Sequence, residues 1–543
     1  MQLIETVLFL LVAVVLSGWV SRITRIPLPL VQIALGAVVV LITGESVDLE
    51  PDVFFLLFLP PLLFLDGWRI PKAALFSDRA VILEMALGLV IITVVGLGFF
   101  IHWMIPAMPL AVAFALAAIL SPTDPIAVSA IAGRAGMPKR LMHILEGESL
   151  LNDASGLTCM RIAVVAATTG AFSLFSAVGS FAWLALAGIA VGVGISLGVA
   201  VIKGFIRRRW GEDVGSQILI SLLIPFAAYL AAEAIHASGI LAAVGAGIAM
   251  SFTEHQGAAK AATRVRRAVV WDTVQFTANG LIFVLLGEQM PSILARAREV
   301  ITTTQHKEVW WLAVYVLAIV LVLAIIRFIW VWATLRLTLF RRKDENGERP
   351  KLRWRLVTVM SLAGVRGAIT LAGILTLPFF ISDGSLLPGR NLAIFLAAGV
   401  IIVSLVVATV ALPPLLKGVE LPSESHAQSV ADRGRKAAAL AAIKALEDSW
   451  ATHEMSGVPA DDYADVMAHM MEGYRYRVEL ASGTDEMQMA HNQKLEGLEG
   501  KLRLIALRAE RQEIRRLADT RLLDEETARK LIREVDLEEL RYT

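Results

Sequence analysis

Cysteine is almost missing from this 543-residue chain, where Cys159 stands alone. One cysteine excludes a disulfide framework and any metal site built from several thiolates. Charge is scarce too. Asp, Glu, Lys and Arg make up 18% of the residues, less than a soluble chain of this length carries. No HExxH, GxGxxG or P-loop pattern occurs, so metalloprotease and ATP-driven chemistry lack support. No Ser/His or paired-Asp signature at helical depth suggests an intramembrane protease. A basic n-region is also lacking before the first apolar run, which follows Gln2 and Glu5, so residues 6–20 read as a retained span.

Apolar residues fill the space that charge leaves. They make up 56% of the chain, and mean hydropathy is +0.66. They cluster near 6–20, 28–43, 51–66, 80–104, 108–133, 143–168, 179–203, 214–236, 238–252, 272–294, 309–335, 355–380 and 391–416. Most of these 13 blocks approach the roughly 20 residues that cross a bilayer as a helix. The blocks 51–66 and 238–252 are short. The sequence therefore predicts an all-α membrane protein over 1–417, followed by a helical cytoplasmic domain over 418–543. Residues 420–543 hold 18 Lys/Arg against 25 Asp/Glu, an acidic balance opposite to that of the apolar part. Tail helices are expected near 428–450, 459–480, 487–518 and 523–540. Charges of alternating sign there fit solvated amphipathic helices, either a plain appendage or a regulatory or dimer-stabilising module that binds a regulator.

Basic residues alternate with the spans. One set of loops carries Arg22 and Arg25, then Arg69, Lys72 and Arg79, then Arg134, Lys139 and Arg140. Lys203 with Arg207 to Arg209, Lys260 with Arg264 to Arg267, and Arg341 to Arg353 follow in the same set. The opposite loops are poor in basic residues, apart from the mixed 295–308 loop; one holds Glu45, Asp48 and Glu50. By the positive-inside rule the N-terminus is periplasmic, the C-terminus cytoplasmic, and the chain sits in a bacterial inner membrane among its lipids.

Two blocks break inside the membrane. The fifth contains Ser121, Pro122, Thr123, Asp124 and Pro125; the twelfth contains Gly364, Val365, Arg366 and Gly367. Broken backbone in lipid persists only where it lines a cavity. The two blocks are seven apart, and an odd offset inverts topology. Paired breaks in inverted-topology repeats, crossing at the midplane, point to an ion site there. Asp124 and Arg366 can complement the half-helix dipoles.

The sixth block reads Glu148, Ser149, Leu150, Leu151, Asn152, Asp153. Spacing of i,i+4 puts Glu148 with Asn152, and Ser149 with Asp153, on one broad face. Asp153 lies about 15 Å in from His143, near the bilayer centre. An ionised carboxylate there is costly unless a cation compensates it. Proton and monovalent cation thus compete for one group, which is the chemistry of an exchanger rather than of a channel. Hard cations prefer oxygen, and Asp153, Ser149 and Thr123 are the expected Na+ ligands, with Asp124 beside them. Asn152 is neutral, so the pair carries one charge and predicts electroneutral 1:1 exchange. Glu148 and Arg366 are expected to form a buried structural ion pair, with Glu148 as a cation ligand the alternative. Arg161 either acts on ions in the outer funnel or pairs with an acid. Glu233 and His236 are read as packing or hydrogen-bonding groups before pH sensors. Gln275 and Asn279 are read as helix crosslinks.

These motifs resemble the NhaP-type sodium/proton antiporters, relatives of the eukaryotic sodium/proton exchangers. Phe58 to Leu63 with Pro60-Pro61, Ala232-Glu233 and Ser238 to Ala242 add to the match, which covers about residues 1–417. The resemblance implies 13 helices, a dimerisation domain, a mobile six-helix core, a homodimer and elevator-like alternating access. It implies an ion site at Thr123, Asp124, Ser149, Asn152 and Asp153, with Glu148 and Arg366 holding the core. Asp66, a gate candidate, stands one residue farther from Pro60-Pro61 than the family's acidic residue. The implied role is pH and sodium homeostasis, with no cofactor beyond the transported Na+, Li+ or K+ and H+, and no nucleic-acid partner.

Overall fold

Inside lipid a helix is the simplest way to satisfy every backbone N–H and C=O, and the apolar blocks fold accordingly. The structure is a computed structural model that describes residues 2–44, 51–70, 79–132, 137, 139–170, 173–211, 213–254, 261–302, 308–337, 354–381, 384–417, 424–451, 460–480, 486–520, 522–523 and 525–539. Lys72, Arg134, Lys260, Arg341, Arg342, Lys343, Arg349, Lys351, Arg353 and the opposite-loop Glu45, Asp48 and Glu50 lie outside the described residues.

The chain divides into two units, Met1–Val419 and Glu420–Thr543. The first opens with α1 (Gln2–Thr24), α2 (Leu28–Thr43) and α3 (Pro51–Arg69). Next come α4 (Arg79–Leu83), a π turn at Glu84–Gly88, α5 (Leu89–Met104), α6 (Leu110–Leu120) and α7 (Pro125–Ala132). The long α8 (Lys139–Thr169) and α9 (Leu174–Trp210) precede α10 (Val214–Ala234), α11 (Gly239–Glu254) and α12 (Ala261–Ala295). The unit closes with α13 (Ala297–Thr302), α14 (Trp310–Leu337), α15 (Trp354–Leu362), α16 (Ala368–Leu375) and α17 (Arg390–Leu416). The second unit holds α18 (Glu424–Ala451), α19 (Ala460–Leu480), α20 (Glu486–Asp519) and α21 (Glu525–Glu539).

Among the described residues, eight helices are long and apolar enough to cross a membrane, or nine if the bent pair α6 and α7 counts as one span. The apolar α2 and α11 are shorter, at 16 residues each.

Local signals set the helix ends. Pro29 sits in the first turn of α2, where its missing N–H costs nothing, and Gly44 ends the helix at φ 71° with its N–H on Val40 O at 2.8 Å. Asp213 caps α10 by accepting from Ser216 N at 2.7 Å. The π turn presents the Glu84 carbonyl to Trp330 Nε1 at 3.1 Å, tying α14 to the α4–α5 span.

Lipid gives apolar helices little drive to associate, so close backbone contact does that work. A Cβ on Gly36 of α2 would lie 1.9 Å from Val284 O, and one on Gly287 of α12 would lie 1.9 Å from Ile33 O. Only glycine at both positions allows that approach. Elsewhere along α12, Phe64 stacks on Trp271 at 5.4 Å, joining α3 to α12.

Candidate ion site

Pro122 and Pro125 stop helix continuity after Leu120, and α7 restarts at Pro125, bent 47° from α6. The restart is capped by Asp124, whose Oδ1 accepts from Ile126 N at 2.8 Å and Ala127 N at 3.3 Å. The second interruption runs from Ala363 to Gly367, between α15 and α16. The two touch: Asp124 N donates to Val365 O at 2.8 Å. Gly367 permits it, since a Cβ there would lie 2.4 Å from Asp124 Oδ2.

Arg366 serves the same junction from the other side. Its Nε donates to Leu120 O at 2.8 Å, and its Nη1 donates to Gly364 O. A cation at the C-terminal end of α6 complements the half-helix dipole there, as Asp124 does at the start of α7.

α8 lies against the first interruption, where a Cβ on Gly156 would lie 2.4 Å from Pro122 Cγ. It carries Glu148, Ser149, Asn152 and Asp153, all no more than 6% exposed. The expected pairing of Glu148 with Arg366 is not what forms. Glu148 accepts instead from Arg327 of α14, Nη1 to Oε1 at 2.5 Å and Nη2 to Oε2 at 2.9 Å. The physical reason is that carbonyls freed by the breaks already engage Arg366, whereas Arg327 needs a carboxylate of its own. Arg327 also donates through Nε to Met360 O at 3.1 Å. Its signal was in the sequence, as the one charge inside the apolar block 309–335.

From Glu148 the network runs on. Thr123 Oγ1 donates to Glu148 Oε1 at 3.2 Å and accepts from Asn152 Nδ2 at 3.0 Å. Asn152 Oδ1 has no partner among the described residues.

Thr123, Asp124, Ser149, Asp153 and Asp66 line one cavity of about 50 Å³. Asn152 is not among its lining residues and reaches it through Thr123. Gly367 and Thr370 also line it, from the second interruption and α16. The cavity abuts a second of about 550 Å³, lined by Arg69, His143, Glu146 and Asp272, with Asp66 and Asn279 belonging to both. Arg69 donates to Asp272 at 2.5 Å and to Gln275 at 2.8 Å, so Gln275 is a crosslink. Arg161 meets Glu233 at 3.4 Å, and Glu233 also accepts from Gly239 N at 3.2 Å.

The arrangement is that of a multi-pass membrane protein with buried side-chain oxygens gathered at two touching helix breaks. The chain belongs to the sodium/hydrogen exchanger family: the description "Sodium/hydrogen exchanger, transmembrane" matches residues 10–418. It is a secondary transporter, not an enzyme, and a Na+/H+ antiporter. It is 39% identical to the uncharacterized Na(+)/H(+) exchanger YjcE of Escherichia coli (strain K12), over 99% of this chain and 98% of that one. It is 45% identical to a sodium, potassium, lithium and rubidium/H(+) antiporter of Bacillus subtilis (strain 168), over 76% of this chain and 62% of that one. The fold is similar to that of the sodium proton antiporter MjNhaP1 from Methanocaldococcus jannaschii, with a TM-score of 0.55 at 19% identity, covering 77% of this chain and 99% of that one.

Proposed function

We propose that the chain exchanges one monovalent cation for one proton, with both competing for the Asp153 carboxylate. One observation carries this reading: Asp153 is 6% exposed, lines the small cavity, and accepts no hydrogen bond from the described residues. Its neighbours are committed elsewhere. Glu148 is bound by Arg327, and Asp124 by two backbone N–H groups and a helix dipole. A buried carboxylate without such support is stable either neutral or with a cation bound, so proton and cation are alternatives.

Asp153, Ser149 and Thr123 hold Na+ in this reading, with Asp124 beside them and Asn152 fixing Thr123 through its amide. Asn152 also keeps the pair at a single charge, which makes the cycle electroneutral. Asp66, common to both cavities, acts as the gate between them. Li+ and K+ are further cargo, in line with the cations named for the Bacillus subtilis relative. The two broken spans are inverted repeats crossing at the bilayer midplane of a 13-span unit, and they move as a core against a dimerisation domain in a homodimer. The N-terminus is periplasmic, the tail cytoplasmic and regulatory, and the membrane a bacterial inner membrane. The physiological task is pH and sodium homeostasis.

The test is dissipation of a preformed pH gradient in everted vesicles on addition of Na+, Li+ or K+. Asp153→Asn is expected to abolish the response. Full activity in that variant would refute the site.

A further inference from the structure

Thr370 lies on α16, in the first turn after the second helix break, and is 2% exposed. It lines the small cavity together with Asp153 and Ser149. Its backbone N–H donates to Gly367 O at 3.2 Å. Its hydroxyl has no hydrogen-bond partner among the described residues.

That lack is unusual for a helical threonine in this protein. Thr158, Thr358 and Thr409 each donate to the carbonyl four residues back, at 2.7, 3.0 and 2.7 Å. Such back-bonding is the ordinary way for a buried helical threonine to satisfy its hydroxyl. Thr370 cannot use it in the same way. The residue four back is Arg366, which stands in the non-helical segment, and Gly367 between them is extended. The helix break that brings Asp124 against Gly367 therefore also leaves one hydroxyl oxygen free, in the wall of the cavity that holds Asp153. A hydroxyl that opens to a cavity without a protein partner is satisfied by what the cavity holds.

We propose that the Thr370 hydroxyl is a further ligand of the transported cation, supplied from the second broken span to the cavity shared by the ligands of α8 and the first break. This inference rests on the Asp153 reading and adds to it. The oxygen is uncharged, so it coordinates a desolvated monovalent cation while adding nothing for a proton to titrate. Removing it should weaken the cation half of the exchange and spare the proton half.

The experiment compares Thr370→Val, which keeps the shape, with Thr370→Ser, which keeps the oxygen. Each is reconstituted as the full chain, and the Na+ concentration dependence of exchange is measured at fixed pH. The half-protecting Na+ concentration in thermal unfolding of the purified protein gives a readout independent of transport. Thr370→Val should raise the apparent KM and the half-protecting concentration together, by about five- to tenfold, as expected for one uncharged oxygen contact. Its Vmax should stay within about twofold, since the chemistry of Asp153 is untouched. Thr370→Ser should behave as the parent. Wild-type KM and protection in Thr370→Val would overturn the proposal, and so would equal losses in the Ser and Val variants. If Thr370→Val does not accumulate folded, Thr370→Ala gives the same reading. Failure of both to fold beside a folded Ser variant would make the hydroxyl a folding element and overturn it too. Asp153→Asn separates the two levels. Exchange surviving in that variant removes the underlying reading, whereas an inactive Asp153→Asn beside an unaltered Thr370→Val removes only this one.

Discussion

Glu148 receives both Nη atoms of Arg327, at 2.5 and 2.9 Å, and the two side chains are 0% and 2% exposed. A pair buried this deeply binds α8 to α14, and removing one partner strands the other charge. Glu148→Gln or Arg327→Met should each cost about 3–5 kcal/mol of stability, read as a lowered unfolding temperature in detergent. The double variant should recover part of the loss, because no charge is then left alone. Thr123 donates to the same carboxylate, so Glu148→Gln should also raise the apparent KM for Na+. Single variants as stable as the parent would contradict this account of the pair.

The proposed competition at Asp153 fixes the sign of a pH effect. The protonated carboxyl offers the cation no negative charge, so lowering the pH on the cation-loading side should raise the apparent KM for Na+. Saturating Na+ should restore the rate, because the proton and the cation exclude each other from one site. Initial rates over a matrix of pH and Na+ concentration check this. A Vmax that falls with pH while KM stays fixed would place the titrating group elsewhere.

Asn152 bears on charge balance. Its Nδ2 donates to Thr123, and it brings no charge of its own beside Asp153. One carboxylate exchanging one proton for one monovalent cation moves no net charge. An imposed membrane potential should therefore leave the initial exchange rate of reconstituted protein unchanged. A rate that rises or falls with the sign of the potential would exclude 1:1 exchange.

Helices were legible in the sequence wherever hydropathy alone decides them. The block 28–43 and α2 coincide, because Pro29 and Gly44 mark both ends chemically. The breaks at 121–125 and 364–367 were legible through proline and glycine, which cannot continue an α-helix without loss. Partner choice was not. Arg327 and Arg366 are both cations deep inside apolar blocks, and sequence distance to Glu148 favours neither. What separates them is backbone geometry: the carbonyls of Leu120 and Gly364, freed by the breaks, engage Arg366. Thr370 was illegible for a related reason. In sequence it is one more threonine in a helix, and only the position of the helix start deprives its hydroxyl of an acceptor. Asp66 illustrates a third case, since its place between two cavities depends on how α3 packs beside α7 and α12.

The contact between α2 and α12 separates glycine as a packing surface from glycine as a mere helix residue. A Cβ at Gly36 would come within 1.9 Å of Val284 O, a backbone atom that cannot rotate away. Gly36→Ala should force the helices apart and cost about 1–3 kcal/mol or more. Gly18 of α1 is the comparison, because a Cβ there meets nothing within 4 Å. Gly18→Ala should be neutral or stabilising by about 0.5–1 kcal/mol, the usual gain of alanine over glycine inside a helix. Thermal unfolding of the two variants side by side decides the matter. The α12 face touching α2 also bears Phe283, which lines both cavities, so Gly36→Ala should depress exchange even in protein that remains folded. Equal stability in Gly36→Ala and Gly18→Ala would mean that α2 and α12 do not pack backbone to backbone.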